Sequence, residues 1–158
     1  MPSPPPTLTY AVADEWAEPS SRMIMDGLLA YNASFYGTAE ERKLAISAGA
    51  EDGRLVAGLL GHIHHGWLHV GWLWVPEELR HQGIGTELMR RAEAEALERG
   101  CHHAHLTTLD FQARSFYERL GYTVFGVLDD YPRPHQRFFM QKPLMAPGTP
   151  GSPHRPKA

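Results

Sequence analysis

The stretch from Trp72 to Gly100 constrains the fold more than any other part of this chain. It reads as an apolar strand, a turn carrying Gly83 and Gly85, and an amphipathic helix. The turn itself is Arg80-His81-Gln82-Gly83-Ile84-Gly85. Glycine has no Cβ, so it accepts positive φ and lets another group come close to the backbone. A helix beginning at about Ile84 leaves its first amides without intrahelical acceptors. Those amides lie at the positive end of the helix dipole, so strand, turn and helix start together make an anion site out of backbone alone.

The helix is well marked. Ile84, Leu88, Ala92 and Ala96 form one stripe with Leu97 beside it, and Glu87–Arg91 and Glu95–Arg99 are i,i+4 pairs on the other side. Gly100 is a natural stop. Upstream, Thr7 to Ala13 is expected to be a first strand, and Pro19-Ser20-Ser21 to start a helix carrying Ile24, Leu28, Tyr31 and Phe35 at helical spacing. Gly37 ends it. Phe35 is expected in the core, while Tyr31, Asn32 and Tyr36 either pack there too or line a pocket, since their polar atoms need partners. Lys43–Ala50 and Arg54–His64 flank Glu51-Asp52-Gly53, a hairpin signal, and His65-Gly66 is a second turn before a strand over Trp67–Val75. Gly71 inside that strand suggests a bulge or a close approach.

Downstream, His103–Leu109 is expected as a strand. Asp110 is expected to cap a short helix in which Ala113, Phe116, Tyr117 and Leu120 share a face, with Gly121 as its stop. Tyr122–Leu128 and Arg137–Lys142 read as the last two strands, joined by the polar loop Asp129–His135. The order β, α, three antiparallel strands, α, β, α, β, β is that of a mixed α/β (α+β) layer fold. One domain over residues 7–144 is expected, with disordered tails at 1–6 and 145–158.

Bulk composition narrows the function. The chain has 158 residues and a net charge of -3, so no basic excess points to nucleic acid. No apolar run is long enough for a membrane span and no secretory signal is visible, so a cytoplasmic protein is expected. The single cysteine, Cys101, excludes an internal disulfide framework. Ten histidines invite a metal reading, but no cysteine or suitably spaced carboxylate joins the runs around His62–His65 and His102–His105. They are read as strand-face histidines, and no metal site is expected. The turn lacks Gly-Lys-Ser/Thr, which argues against a P-loop nucleotide hydrolase.

Two motifs then carry a resemblance. Arg80-x-x-Gly83-x-Gly85 follows a strand, and Ala113-Arg-Ser-Phe-Tyr117-Glu-Arg-Leu120-Gly121-Tyr122 stands one helix and one strand later. In this order and spacing they resemble the GNAT superfamily of acetyl-CoA-dependent N-acetyltransferases, and Phe111–Tyr122 with the following Val124–Leu128 and Asp129–Pro132 resembles a bacterial subgroup of unassigned substrate. The resemblance implies a mostly antiparallel, splayed central sheet flanked by helices.

It also implies roles. Acetyl-CoA is the co-substrate, its pyrophosphate on the amides of Gln82, Gly83, Ile84, Gly85 and Thr86, with Arg80 and His81 near the phosphates. The pantetheine arm pairs like an extra strand with backbone near Leu73 and Val75, in a splay that a Gly71 bulge fits. Ala113, Phe116 and Asp110 flank the cofactor, although relatives often carry Asn where Asp110 stands, and capping the helix is its alternative role. Tyr117 is implied as the acid for the leaving thiolate. Relatives often carry a Glu base where this chain has His69, which is either the base, directly or through water, or a tolerated polar residue. The acceptor pocket is implied to draw on Tyr31, Asn32, Tyr36, Trp72 or Trp74, and Asp129, Asp130 and Tyr131, where carboxylates beside aromatics suit a cationic amine or simply form a solvated acidic loop. The expected acceptor is a small-molecule amine. A protein amine and a non-catalytic acyl-CoA sensor are the alternatives, and a homodimer is possible in such a family.

Overall fold

Hairpin chemistry and one amphipathic helix build the larger part of this protein. The computed structural model describes residues 8–38 and 40–145. The chain divides into two units, Met1–Ala39 and Glu40–Ala158.

In the first unit, α1 spans Ser20–Tyr36 and ends at Gly37, whose φ of 74° only glycine accepts without strain and whose N–H bonds the Ala33 carbonyl at 2.8 Å. The expected first strand is not formed over residues 8–13. Leu8, Tyr10 and Val12 do alternate, but all three are exposed, and the described residues of the first unit include no second strand to satisfy their backbone. Phe35 is not a core residue either: it is 73% exposed and meets Tyr31 edge-on at 5.2 Å. The apolar positions of α1 were legible as a helix, but not what they would pack on.

The second unit is a six-stranded mixed sheet in the order β1-β2-β3-β4-β6-β5, where β1 is Arg42–Gly49, β2 Leu55–His64, β3 Trp67–Trp74, β4 His103–Leu109, β5 Thr123–Leu128 and β6 Arg137–Pro143. Only β3 and β4 are parallel. The β1–β2 turn is tied by Arg54 N–H to Asp52 Oδ1 at 2.9 Å. The β2–β3 turn uses His65 and Gly66, both at positive φ, as a two-residue hairpin requires.

The parallel pair is linked by α2, Ile84–Glu98. Leu88, Met89, Ala92 and Ala96 are buried against Leu44, Leu59, Ile63, Leu68 and Val70. Ala92 and Ala96 have no bulk beyond Cβ, so the helix can lie close on the sheet. Its end is a Schellman turn: Cys101 N–H reaches the Ala96 carbonyl at 2.8 Å across Gly100, which sits at φ 84°. The expected surface pairs form, Arg91–Glu87 at 2.7 Å and Arg99–Glu95 at 2.6 Å. Helix α3, Arg114–Arg119, buries Tyr117 in the same core. Among the described residues no helix is long and apolar enough to cross a membrane.

Candidate active site

The turn after β3 is fastened before it reaches its glycines. A short 3₁₀ turn, Glu77–Leu79, follows Pro76. Arg80 Nε then donates to the Val75 carbonyl at 3.1 Å, and Gln82 Nε2 donates to the Glu78 carbonyl at 3.1 Å. His81 and Gly83 both take positive φ, 61° and 83°. The Gly83 carbonyl accepts the first helical bond, from Glu87 N–H at 3.0 Å. The amides of Ile84, Gly85 and Thr86 therefore have no intrahelical acceptor. A Cβ placed on Gly83 would meet nothing within 4 Å, so the turn faces open space. Glu87, the acidic residue of the first turn, is drawn to Arg90 and Arg91, whose hydrogen bonds hold its carboxyl down to about 2.

The two glycines are not equivalent, which the sequence reading missed. Gly85 lies within the helix, and a Cβ there would stand 3.3 Å from Phe116 Cζ and 3.8 Å from Val75 Cγ2. Gly83 gives the turn its handedness; Gly85 lets α3 pack on the start of α2. Ile84, Ala113 and Phe116 are half-buried and pack against the same core.

The expected bulge is present. Leu60 pairs with Trp72 and Gly61 with Val70, so Gly71 has no partner on β2. On the other side, the β3–β4 ladder stops at Val70↔Leu106. Beyond it, the β4-facing backbone groups of β3 have no neighbouring strand. Leu73 and Val75 turn their side chains to the helix-covered core. The extra residue sets His69, Trp72 and Trp74 on the opposite face, where the two tryptophans are exposed.

On the helix side, Tyr117 meets Phe116 and Tyr122 edge-on, with ring centroids 5.1 and 6.0 Å away. It is 8% exposed, and its hydroxyl makes no hydrogen bond with the described residues. Burial pushes its pKa up to about 12. The neighbouring Tyr122 is different. Its hydroxyl donates to Glu93 Oε1 at 3.0 Å, and Glu93 Oε2 accepts from Lys142 Nζ at 2.7 Å. Burial and the Glu93 charge push the Tyr122 pKa far up. Tyr122 is anchored, and Tyr117 keeps an uncommitted proton.

On the other face, His69 stacks on His105 with centroids 4.7 Å apart and planes 15° off parallel, as their opposed positions in the β3–β4 register demand. Burial lowers the pKa of His69 from 6.5, His62 lowers it further, and Glu41 opposes the shift. His105 is lowered by burial and by His69. Glu41 Oε1 lies 2.9 Å from His62 Nδ1. With His64 and Trp67 these side chains line an open groove of about 520 Å³.

Asp110 does not cap α3. Its oxygens meet His135 Nδ1 at 3.0 Å and the Gln136 N–H at 3.3 Å, tying the end of β4 to the β5–β6 loop. No side chain caps α3 among the described residues; in the turn before it, Gln112 Oε1 accepts the Leu109 N–H at 2.8 Å, and the buried Thr108 hydroxyl accepts the Ala113 N–H at 3.4 Å. The acidic loop is also committed internally. Asp129 accepts from Gln136 Nε2 at 2.7 Å, Asp130 pairs with Arg133 at 3.0 Å, and the Tyr131 ring lies 4.1 Å from the Arg137 guanidinium carbon. Tyr31, Asn32 and Tyr36 belong to α1 in the first unit.

Open space beside helix amides that lack intrahelical acceptors, next to a bulged strand whose ladder with its parallel neighbour ends early, invites comparison with known proteins. The sequence profile of the acetyltransferase (GNAT) family matches residues 9–122. The chain belongs to this family. An acetyltransferase of Agrobacterium fabrum is 43% identical over 117 residues, 74% of this chain and 83% of that protein. The blasticidin-S acetyltransferase of Streptomyces morookaense is 46% identical over 89 residues, 56% of this chain and 65% of that protein. The crystal structure of an acetyltransferase from Bacillus cereus superposes with a TM-score of 0.77 at 29% identity, covering 85% of this chain and 98% of that one.

As a GNAT acetyltransferase, the protein uses acetyl-CoA as acetyl donor. This chain's own residues fit that co-substrate. The open amide turn suits a pyrophosphate, and the unpaired stretch of β3 suits an amide-bearing arm.

Proposed function

We propose that this GNAT enzyme transfers the acetyl group of acetyl-CoA to a primary amine of a small molecule, by direct attack in a ternary complex. One observation carries the reading. Two titratable groups are pushed apart: Tyr117, raised by burial in the core on the helix side of the sheet, and His69, lowered by burial on the other face, one rung before the β3–β4 ladder ends. Environments that push two titratable groups apart in this way assign acid and base.

Acetyl-CoA supplies the acetyl group as an activated thioester. His69 is neutral near pH 7 and takes the proton that the acceptor's ammonium must lose, directly or through a water. A strand amide near Leu73 or Val75 donates to the carbonyl oxygen as negative charge grows on it. The new N–C bond forms as the C–S bond breaks. Tyr117 donates a hydrogen bond to the departing sulfur. Full proton transfer from a phenol near 12 to a thiolate whose conjugate acid is about 8.5 is uphill, so the hydrogen bond carries most of the effect. The backbone amides of Gln82–Thr86 stay outside this chemistry: those N–H groups, with Arg80 and His81 beside them, bind and orient the co-substrate.

The Streptomyces relative, a blasticidin-S acetyltransferase, supports a small-molecule acceptor. The test is thiol release from acetyl-CoA against a panel of small amines and lysine peptides, with initial rates varied in both substrates. Intersecting lines with a small amine support direct transfer. Parallel lines, or turnover with peptides alone, would overturn it.

A further inference from the structure

We propose that Arg137 is a specificity residue that anchors a carboxylate, or a similar anionic oxygen group, carried by the acceptor amine. The proposal rests on the small-molecule reading above and names the class of molecule.

Strand β6 alternates: Phe138 and Met140 are buried on the helix side, which sets Arg137, Phe139 and Gln141 on the other face. That is the face of His69, His105, Trp72 and Trp74. Arg137 pairs with Leu109, four residues past His105 on β4 and beyond the last β3–β4 rung at Leu106. It therefore stands roughly 13 Å along the sheet from the histidine pair, at the open end of the splay. Two strand spacings, about 10 Å before the splay is added, separate its backbone from β3, a gap that an arginine side chain and a short amine bridge together.

The guanidinium is held but not satisfied. Tyr131 covers one face. Arg137 is half-buried, its Nε is buried with no hydrogen-bond partner, and among the described residues it makes no ion pair. The nearby carboxylates are engaged elsewhere: Asp110 by His135, Asp129 by Gln136 and Asp130 by Arg133. Burying such a donor unmet is costly. The terminal Nη groups also have no hydrogen-bond partner among the described residues, and a small turn of the side chain brings Nε out beside them, so that a planar carboxylate meets the whole fork. An oxygen of the co-substrate is the other source of the same chemistry, and the experiment separates the two.

The screen uses matched pairs, amino acids and their carboxamides, with the wild type, Arg137→Gln and Arg137→Lys. The wild type should favour the carboxylates by at least about tenfold in kcat/KM. Arg137→Gln should erase that preference through KM, leaving the carboxamides and the KM for acetyl-CoA unchanged. Arg137→Lys, which keeps the charge without the fork, should fall between. Equal wild-type rates within pairs, or a preference that survives Arg137→Gln, would overturn the anchor while leaving the small-molecule reading intact. A rise in KM confined to acetyl-CoA would assign Arg137 to the co-substrate instead. Acetylation of peptides and of no small amine would remove both readings together.

Discussion

The ring of Phe116 occupies the space that a side chain on Gly85 would need, with Cζ only 3.3 Å from the missing Cβ. The second glycine of the turn thus answers to a packing demand from α3, and the first to a backbone demand. Gly83→Ala meets no atom but must hold φ 83°, at a cost of about 1–2 kcal/mol. It should lower Tm by a few degrees and weaken acetyl-CoA binding, as calorimetry would show. Gly85→Val should destabilise more, and Phe116→Leu should partly restore it; purely additive effects in that double-mutant cycle would disprove the contact.

Tyr117→Phe removes one hydroxyl that bonds to no described residue, so the fold should hardly notice. The expected loss is about 100-fold or more in kcat, with acetyl-CoA affinity unchanged. Because burial raises Tyr117 to about 12, no loss of rate between pH 8 and about 10 should trace to its ionisation. Wild-type turnover in Tyr117→Phe would remove it from the mechanism.

His69 accepts a proton only when neutral, and burial moves its pKa below 6.5. The acidic limb of the kcat/KM profile should therefore lie below the ordinary imidazole range, with activity lost as pH falls through it. In His69→Ala the limb should vanish along with most of the rate. A limb that persists in the variant means another group is the base.

Glu93 is bonded by the Tyr122 hydroxyl and by Lys142, and the ion pair is mostly buried, with side chains 15% and 24% exposed. Glu93→Ala strands both partners and should cost about 2–3 kcal/mol, less than a fully buried pair because Lys142 reaches water. Tyr122→Phe should cost about 1 kcal/mol. Urea denaturation reads both, and equal losses would mean that the ion pair contributes nothing beyond the hydroxyl.

Deleting Gly71 should remove the bulge and leave every other side chain of β3 on its present face. Gly71 is the extra residue between Val70, opposite Gly61, and Trp72, opposite Leu60, so its loss joins two rungs that are already adjacent on β2. The folded circular dichroism signal should therefore survive, while the backbone beyond the last β3–β4 rung straightens and acetyl-CoA binding weakens. A folded deletion variant that binds acetyl-CoA as tightly as the wild type would show that the bulge is dispensable.

Local chemistry explains what could be read from the residues. Strand β4 was legible to its last residue because His103–Leu109 alternates between clear stops. Gly71, Gly83 and Gly100 each announced a backbone event in place. The features that escaped depend on distant partners. Asp110 stands where a helix cap belongs, but His135, 25 positions later, claims its carboxylate. Leu8, Tyr10 and Val12 alternate as a strand should, yet alternation supplies no neighbour to pair with. Arg137 gave no signal at all, since what distinguishes it is the missing partner of a buried nitrogen.

Only four rungs, residues 67–70 against 103–106, join the β1-β2-β3 meander to the β4-β6-β5 half of the sheet. Two ring stacks, Trp67 on His103 and His69 on His105, lie along the same seam. The sheet is therefore two three-stranded plates hinged on a narrow strip, and anything that wedges the open end apart works against that strip. The width of the cleft, and the reach across it, is set at the seam rather than at the glycine turn to which we assign the co-substrate's pyrophosphate.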